Sequence, residues 1–325
     1  MATVDSFQLL YGEISRSFNP YIETLALIGA LYAARRAVIL LRDCCALVRV
    51  HFLPRIIPSK KLTQRFGDWA VVYGAAETVA KAYAEELARH GVSIIFVTQD
   101  HTSVRDTAAT LSQSYGVETV VVAADFSLEK AAGNPIKEAL RGKDIGFLVN
   151  CVESVASPQS LIEMPEQSVL NLVNKNVAVA TLMTRLVLPG MLERSRGAVV
   201  NISSGACSKP LPGRVTLTAS TGYMDHFSRA LHLEYSYKGI FVQSLTPFQI
   251  ASSEQQPSSS TPMSRPGWFV PKPEVYARHA VSTLGVSNRT TGYWPHTLQY
   301  GLMKRIPEWI WVLGSRMLIN RTTGN

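Results

Sequence analysis

From Asp68 onward, short apolar runs alternate with longer amphipathic stretches, a pattern that predicts strands and helices in turn. Trp69 to Tyr73, Val92 to Thr98, Glu118 to Ala123, Ile145 to Val149, Ala198 to Ile202 and Ile240 to Leu245 read as strands. Glu77 to His90 is amphipathic and closes on Gly91, and Met224 to Tyr237 does the same before Gly239, so both read as helices. Strands joined through helical crossovers give an α/β fold with a doubly wound parallel sheet. Ligands in such sheets bind beyond the carboxyl ends of the strands, so the residues just past each strand are the candidates for a site.

Upstream the pattern changes. No proline intervenes between Pro20 and Pro54, and the apolar run Tyr21 to Ala34 continues through Ala37 to Leu41 and Ala46 to Val50, which predicts one long helix or two. Its uncharged part, Thr24 to Ala34, has 11 residues, fewer than the ~20 that span a bilayer, and Arg35 with Arg36 interrupts any extension. Arg35, Arg42 and Arg49 recur every seven residues along one helix face, with Val38, Leu41, Cys45 and Val48 on others. An interfacial, cation-edged helix is therefore expected rather than a clean transmembrane span. Asp5 and Glu13 precede the apolar run and no basic segment opens the chain, so a cleavable secretory signal is not expected. The division expected is a helical, membrane-associating or targeting extension over 1–66 and a folded body over 67–325.

Composition narrows the function classes. With 325 residues, 46% hydrophobic and 17% charged, the chain is neither a disordered tail nor a disulfide-stapled miniature. Four cysteines, none in a C-x-x-C and none at ligand spacing from a histidine, argue against a disulfide framework and against a metal site. The net charge of +8 is local: eight bases between Arg35 and Arg65 face one acid, Asp43. The body is close to neutral, so a nucleic-acid groove is not expected and contact with an anionic membrane surface is.

The first strand runs into Tyr73-Gly74-Ala75-Ala76-Glu77-Thr78-Val79-Ala80 and a helix. Position and context resemble the TGxxxGxG phosphate turn of the short-chain dehydrogenase/reductase family. The resemblance continues through Asp125 after the third strand, Asn150 after the fourth, Asn176 in a long helix, Asn201-Ile202-Ser203-Ser204-Gly205 at a strand end, and Pro247 after the sixth strand. It covers about residues 68 to 300. Lys81 to Leu87, Lys238 to Ser244, Arg289 to Trp294 and the opening Val4 to Phe7 look like an inactive branch related to the microsomal 17-beta-hydroxysteroid dehydrogenases.

The resemblance implies a Rossmann-like fold that binds NADP(H) and moves a hydride between nicotinamide and a carbonyl carbon. A Tyr handles the proton, a Lys four residues later lowers its pKa and holds the ribose, a Ser polarises the carbonyl and an Asn orients a water relay. The family's Ser lies thirteen positions before its Tyr. Counting from Ser204 reaches Leu217, and the Lys position holds Thr221. Leucine has no titratable proton and threonine no cation, so no competent catalytic set is expected, with Asn176 and Ser204 vestigial. Tyr223, six residues beyond Leu217, is expected to face elsewhere.

In the phosphate turn Gly74 is kept, but the later glycines are Thr78 and Ala80. A β-branched Thr78 where backbone must approach pyrophosphate is expected to obstruct it, and a positive φ there would be costly. The residual cofactor candidates are Gly74, Ala75, Ala76, Glu77, Thr78, Val79, Ala80, Asp125 and Asn150, with the cofactor absent or weakly held. Asp125, Asn150 and Ser204 read equally well as capping residues.

Ser252 to Arg265 occupies the place of the family's substrate-covering loop and reads as strand-free. Pro307 to Leu313 reads as a short aromatic helix, either packed or at a membrane interface. The function expected is a pseudoenzyme retained as a membrane-associated binding or scaffolding unit with an unidentified protein partner. The alternatives are a weakly active NADP(H)-dependent hydroxysteroid or 3-ketoacyl reductase, and a lipid- or sterol-binding protein using the old substrate cleft. The resemblance further implies a homodimer and a mitochondrial location, with the endoplasmic reticulum membrane as the alternative.

Overall fold

A computed structural model describes residues 2–56, 61–74, 77–99, 102–124, 133–152, 159–251 and 266–323. The chain divides into two compact units, Met1–Arg49 and Val50–Asn325. The first is most of α1 (Ala2–His51), a helix of 50 residues that begins well before Pro20 and runs through it. From Tyr21 on, most of its apolar side chains are exposed, Leu25 at 66% and Leu31 at 64%. Tyr21–Ile56 is long and apolar enough to cross a membrane by length and composition, with a mean hydropathy of 1.7 over an 18-residue window within it. The eleven uncharged residues alone understate it, because the apolar run resumes directly beyond Arg35 and Arg36.

The second unit begins earlier than the change of pattern at Asp68 suggests. His51 is buried, and its Nε2 lies 2.9 Å from Thr297 Oγ1. After the short α2 (Leu53–Ile56), α3 (Leu62–Phe66) buries Phe66 edge-on against Phe147, with ring centroids 5.4 Å apart. His51 and α3 therefore pack with the body.

The body alternates β1 (Trp69–Tyr73), α4 (Thr78–Arg89), β2 (Ser93–Thr98), α5 (Thr102–Tyr115), β3 (Thr119–Ala123), α6 (Gly133–Leu140) and β4 (Ile145–Cys151). It continues with α7 (Glu166–Val173), a π turn over Asn174–Val179, α8 (Ala180–Glu193), β5 (Gly197–Ile202), α9 (Val215–Tyr235), β6 (Ile240–Leu245), α10 (Pro273–Ser282) and β7 (Arg289–Thr290). Two helices close the chain, α11 (Trp294–Arg305) and α12 (Glu308–Thr323). The seven strands form one parallel sheet in the order β3-β2-β1-β4-β5-β6-β7.

The six expected strands are present within a residue or two at each end. Their apolar runs do not alternate because both faces of the sheet are covered. Ala70, Val72, Ile94, Phe96 and Phe147 meet Tyr83 and Leu87 of α4 and Tyr276 of α10. Val71, Ile95, Val97 and Leu148 meet Ile136 of α6 and Met183 and Val187 of α8. Each fully buried side chain of this size contributes about 1.5–3 kcal/mol. The strand order reverses between β1 and β4, and that switch point opens a crevice at their carboxyl ends.

Candidate functional site

Gly74, directly after β1, sets the geometry of the crevice. Its φ is +79°, and a Cβ there would collide with the Cys151 carbonyl oxygen at the end of β4. Only glycine satisfies both the left-handed backbone and this close approach. Glu77 N–H then donates to Gly74 O at 3.0 Å, and α4 starts at Thr78 with Glu77 as its N-cap. The Glu77 side chain makes no capping hydrogen bond.

A cleft of about 450 Å³ lies over this turn. Glu77, Thr78 and Val79 form one wall, and Ser204 at the end of β5 forms part of another. Burial pushes the Cys151 thiol well above its usual range, with the Glu77 carboxylate adding to the shift and the Ala80 backbone opposing it. Among the described residues, the only non-glycine with positive φ is Ser195, at 50°. Thr78 is thus an ordinary first helical residue. Its backbone carries no strain, and what is left of the expected obstruction is that Thr78 lines the cleft next to Glu77.

The remaining candidates divide. Ala80 is fully buried in the core. Asn150 is also fully buried and faces away from the cleft: its Nδ2 donates to Asn201 Oδ1 at 2.8 Å and to Thr184 Oγ1 at 3.2 Å. Asn201 Nδ2 passes this network to Ser228 Oγ at 2.8 Å, so the Asn150 side chain ties α8 and α9 to the sheet. Ala75, Ala76, Asp125 and the segment 252–265 lie outside the described residues.

Asn176 sits in the π turn between α7 and α8 and donates from Nδ2 to Ser220 Oγ of α9 at 3.3 Å. Leu217 is 3% exposed, and Thr221 is fully buried with its hydroxyl donating to Thr218 O at 2.9 Å. Neither lines the cleft. Tyr223 faces elsewhere, with its hydroxyl 2.9 Å from Thr181 Oγ1 and its ring stacked on Phe227.

Sequence reasoning missed Lys209, Arg214, Met303 and Trp311, which also line the cleft. The signal for Trp311 was its spacing: residues 309 and 311 stand about 200° apart on a helix, so they cannot share one face. Trp309 is 70% exposed, whereas Trp311 turns inward and donates from Nε1 to Pro210 O at 2.8 Å.

A parallel sheet in this strand order, with a glycine turn at its switch point and a serine-rich end on β5, defines a doubly wound dehydrogenase fold. The short chain dehydrogenase family model matches residues 68–262, and the chain belongs to that family. Over 323 residues it is 53% identical to inactive hydroxysteroid dehydrogenase-like protein 1 of Danio rerio, covering 99% of this chain and 100% of that one. Solved structures share the fold. That of a 7beta-hydroxysteroid dehydrogenase superposes with a TM-score of 0.68 at 23% identity, covering 79% of this chain and 99% of that one. A short-chain dehydrogenase from Sphingobium yanoikuyae in complex with NADPH gives 0.59 at 23% identity, covering 74% and 96%.

Proposed function

We propose that the chain is a catalytically inactive short-chain dehydrogenase homologue, retained as a binding or scaffolding unit attached to a membrane through α1. One observation carries this reading. The α9 positions that correspond by register to the family's Tyr and Lys hold Leu217 and Thr221, both buried and neither able to donate a proton to a carbonyl or a cation to a ribose. The name of the Danio rerio relative agrees with it.

NADP(H), which the family implies, does not fit the residues present. The N-terminus of α4 would offer backbone N–H groups to a pyrophosphate, but the residues that line the cleft there are the acidic Glu77 and the β-branched Thr78, the latter at a position where the family has glycine. No hydride step is therefore derived. The exposed apolar length of α1 and the bases that follow it support membrane attachment. The membrane proposed is mitochondrial, as the resemblance to the inactive branch implies.

The test is titration of the purified full chain with NADPH and NADH, followed by reduced-nicotinamide fluorescence. Each missing charged or close backbone contact is worth about 1 kcal/mol or more, so the expected dissociation constant is about millimolar or weaker. With a steroid ketone or a 3-oxoacyl substrate added, no NADPH is expected to be consumed. Saturable binding at about 10 μM or below would overturn the reading.

A further inference from the structure

α9 presents two faces. Leu217, Ser220, Thr221, Met224 and Ser228 are buried on one. Val215, Thr218, Ala219, Gly222, His226 and Arg229, spaced by three and four residues, form a stripe on the opposite one. From Val215 to Arg229 the stripe is about 21 Å long at 1.5 Å per residue.

Two grooves lie end to end along this stripe. At its N-terminal end, Val215, Thr218 and Ala219 join Pro210, Leu211 and Val312 of α12 in a predominantly apolar groove. At its C-terminal end, Gly222, His226 and Arg229 line a second groove of about 350 Å³. Cys207, Ser208 and Lys209 border both. Gly222 stands where the two meet, and a Cβ there would touch nothing within 4 Å, so the stripe is open at its middle.

The second groove carries Arg229, Arg289 and Lys304 against a single carboxylate, Asp225; Lys209 also borders it, but its Nζ donates to Ile306 O and lies over the Trp311 ring. That carboxylate is already engaged: it accepts from Arg289 Nε at 2.9 Å and from the Ser244 hydroxyl at 2.8 Å. Arg229 reaches it only at 3.8 Å and is 47% exposed, leaving its guanidinium largely available. Lys304 is exposed as well. An apolar slot that continues into an excess of cations is the complement of an amphiphile. The outer face of α12 suits the same class of ligand, since it turns Trp309, Ile310, Leu313 and Met317 to the outside beside Lys304 and Arg305.

We propose that this groove binds a single-chain anionic lipid of the lysophosphatidate type. Its acyl chain starts along Val215 to Ala219 and continues over Pro210, Leu211 and Val312, and its phosphate sits among Arg229, Arg289 and Lys304. The site is on the face of α9 opposite Leu217 and Thr221, and Lys209 and Leu211 border both it and the dehydrogenase cleft.

The experiment uses the full chain in phosphatidylcholine vesicles and oleoyl lysophosphatidate bearing a photoreactive group at its chain end. Labelling is expected to concentrate on 210–219 and on Val312, and unlabelled lysophosphatidate is expected to compete. Inorganic phosphate and neutral monooleoylglycerol at the same concentration are not. Arg229→Glu with Lys304→Glu is expected to lower labelling at these positions about tenfold relative to the rest of the chain. If that pair disturbs the circular dichroism spectrum, Arg229→Gln with Lys304→Gln is read instead, with the same direction expected. Labelling spread evenly along the chain and unmoved by these substitutions would overturn the proposal. So would competition by inorganic phosphate, which marks a free-anion site, or by monooleoylglycerol, which marks a groove blind to the headgroup.

Discussion

At Leu217 and Thr221 a substitution acts on packing before it acts on chemistry. A phenol in place of Leu217 overfills a buried site, at a cost of about 1–3 kcal/mol. A lysine at Thr221 buries an ammonium that needs partners the site does not already supply. Leu217→Tyr with Thr221→Lys is therefore expected to lower the melting temperature and to give no turnover of NADPH with a ketone. Adding Thr78→Gly opens the turn, whereas Ala80→Gly, in the core, is expected only to destabilise; turnover is expected only once Thr78→Gly joins the pair, a strongly non-additive result because these three positions serve one event. Turnover in the double variant would show that Thr78 does not obstruct the phosphates. The assignment of Leu217 and Thr221 to the family's Tyr and Lys positions rests on counting from Ser204. The direction of the Asn150 side chain was not, because a strand-end amide can turn to the cleft or into the layer below, and only the partners Thr184 and Asn201 decide it.

Elements that bury one stripe or both faces were legible, and elements defined by their partners were not. β7 has two residues, and only its pairing with Ser244 and Leu245 makes it a strand. α9 begins nine residues before the expected Met224, since the run Thr216 to Gly222 is rich in residues of modest helix propensity and tertiary packing overrides them. The boundary of the extension moved for a similar reason, and it sets a test. A variant beginning at Val50 keeps the contacts of His51, Phe66 and Arg65, whose guanidinium donates to Gly285 O at 3.0 Å. It is expected to leave membranes on low-salt extraction with an unchanged melting temperature. A variant beginning at Asp68 removes Phe66, a loss of about 3–5 kcal/mol on the scale of buried aromatic truncations, and is expected to melt earlier. If the Val50 variant still pellets with membranes, the outward face of α12 is the anchor.

For the molecule as a whole, acid is expected to be destabilising over a defined window. His279 and His296 are both lowered from 6.5 to about 4, chiefly by burial, and for His279 also by the Arg55 cation. The hydrogen bonds require the neutral forms. His296 donates from Nε2 to Phe269 O and accepts from Phe248 N–H at Nδ1, while His279 Nδ1 accepts from the Arg55 guanidinium. Between pH 6.5 and 4 the unfolded chain binds these protons and the folded chain does not. Stability is therefore fully present above 6.5 and falls as pH drops through the window. Melting temperatures measured across it should decline, and His296→Gln should flatten the decline; a flat profile in the unaltered chain would show that folding does not lower the pKa of these rings. The strand order also fixes a sequence of events during synthesis. β1 lies between β2 and β4, so it lacks one neighbour until the ribosome has passed Cys151, and β7 cannot join the sheet before Thr290. α1 emerges ahead of all of them, so the membrane attachment proposed for it would be available before the sheet has closed, and the body would then fold already tethered.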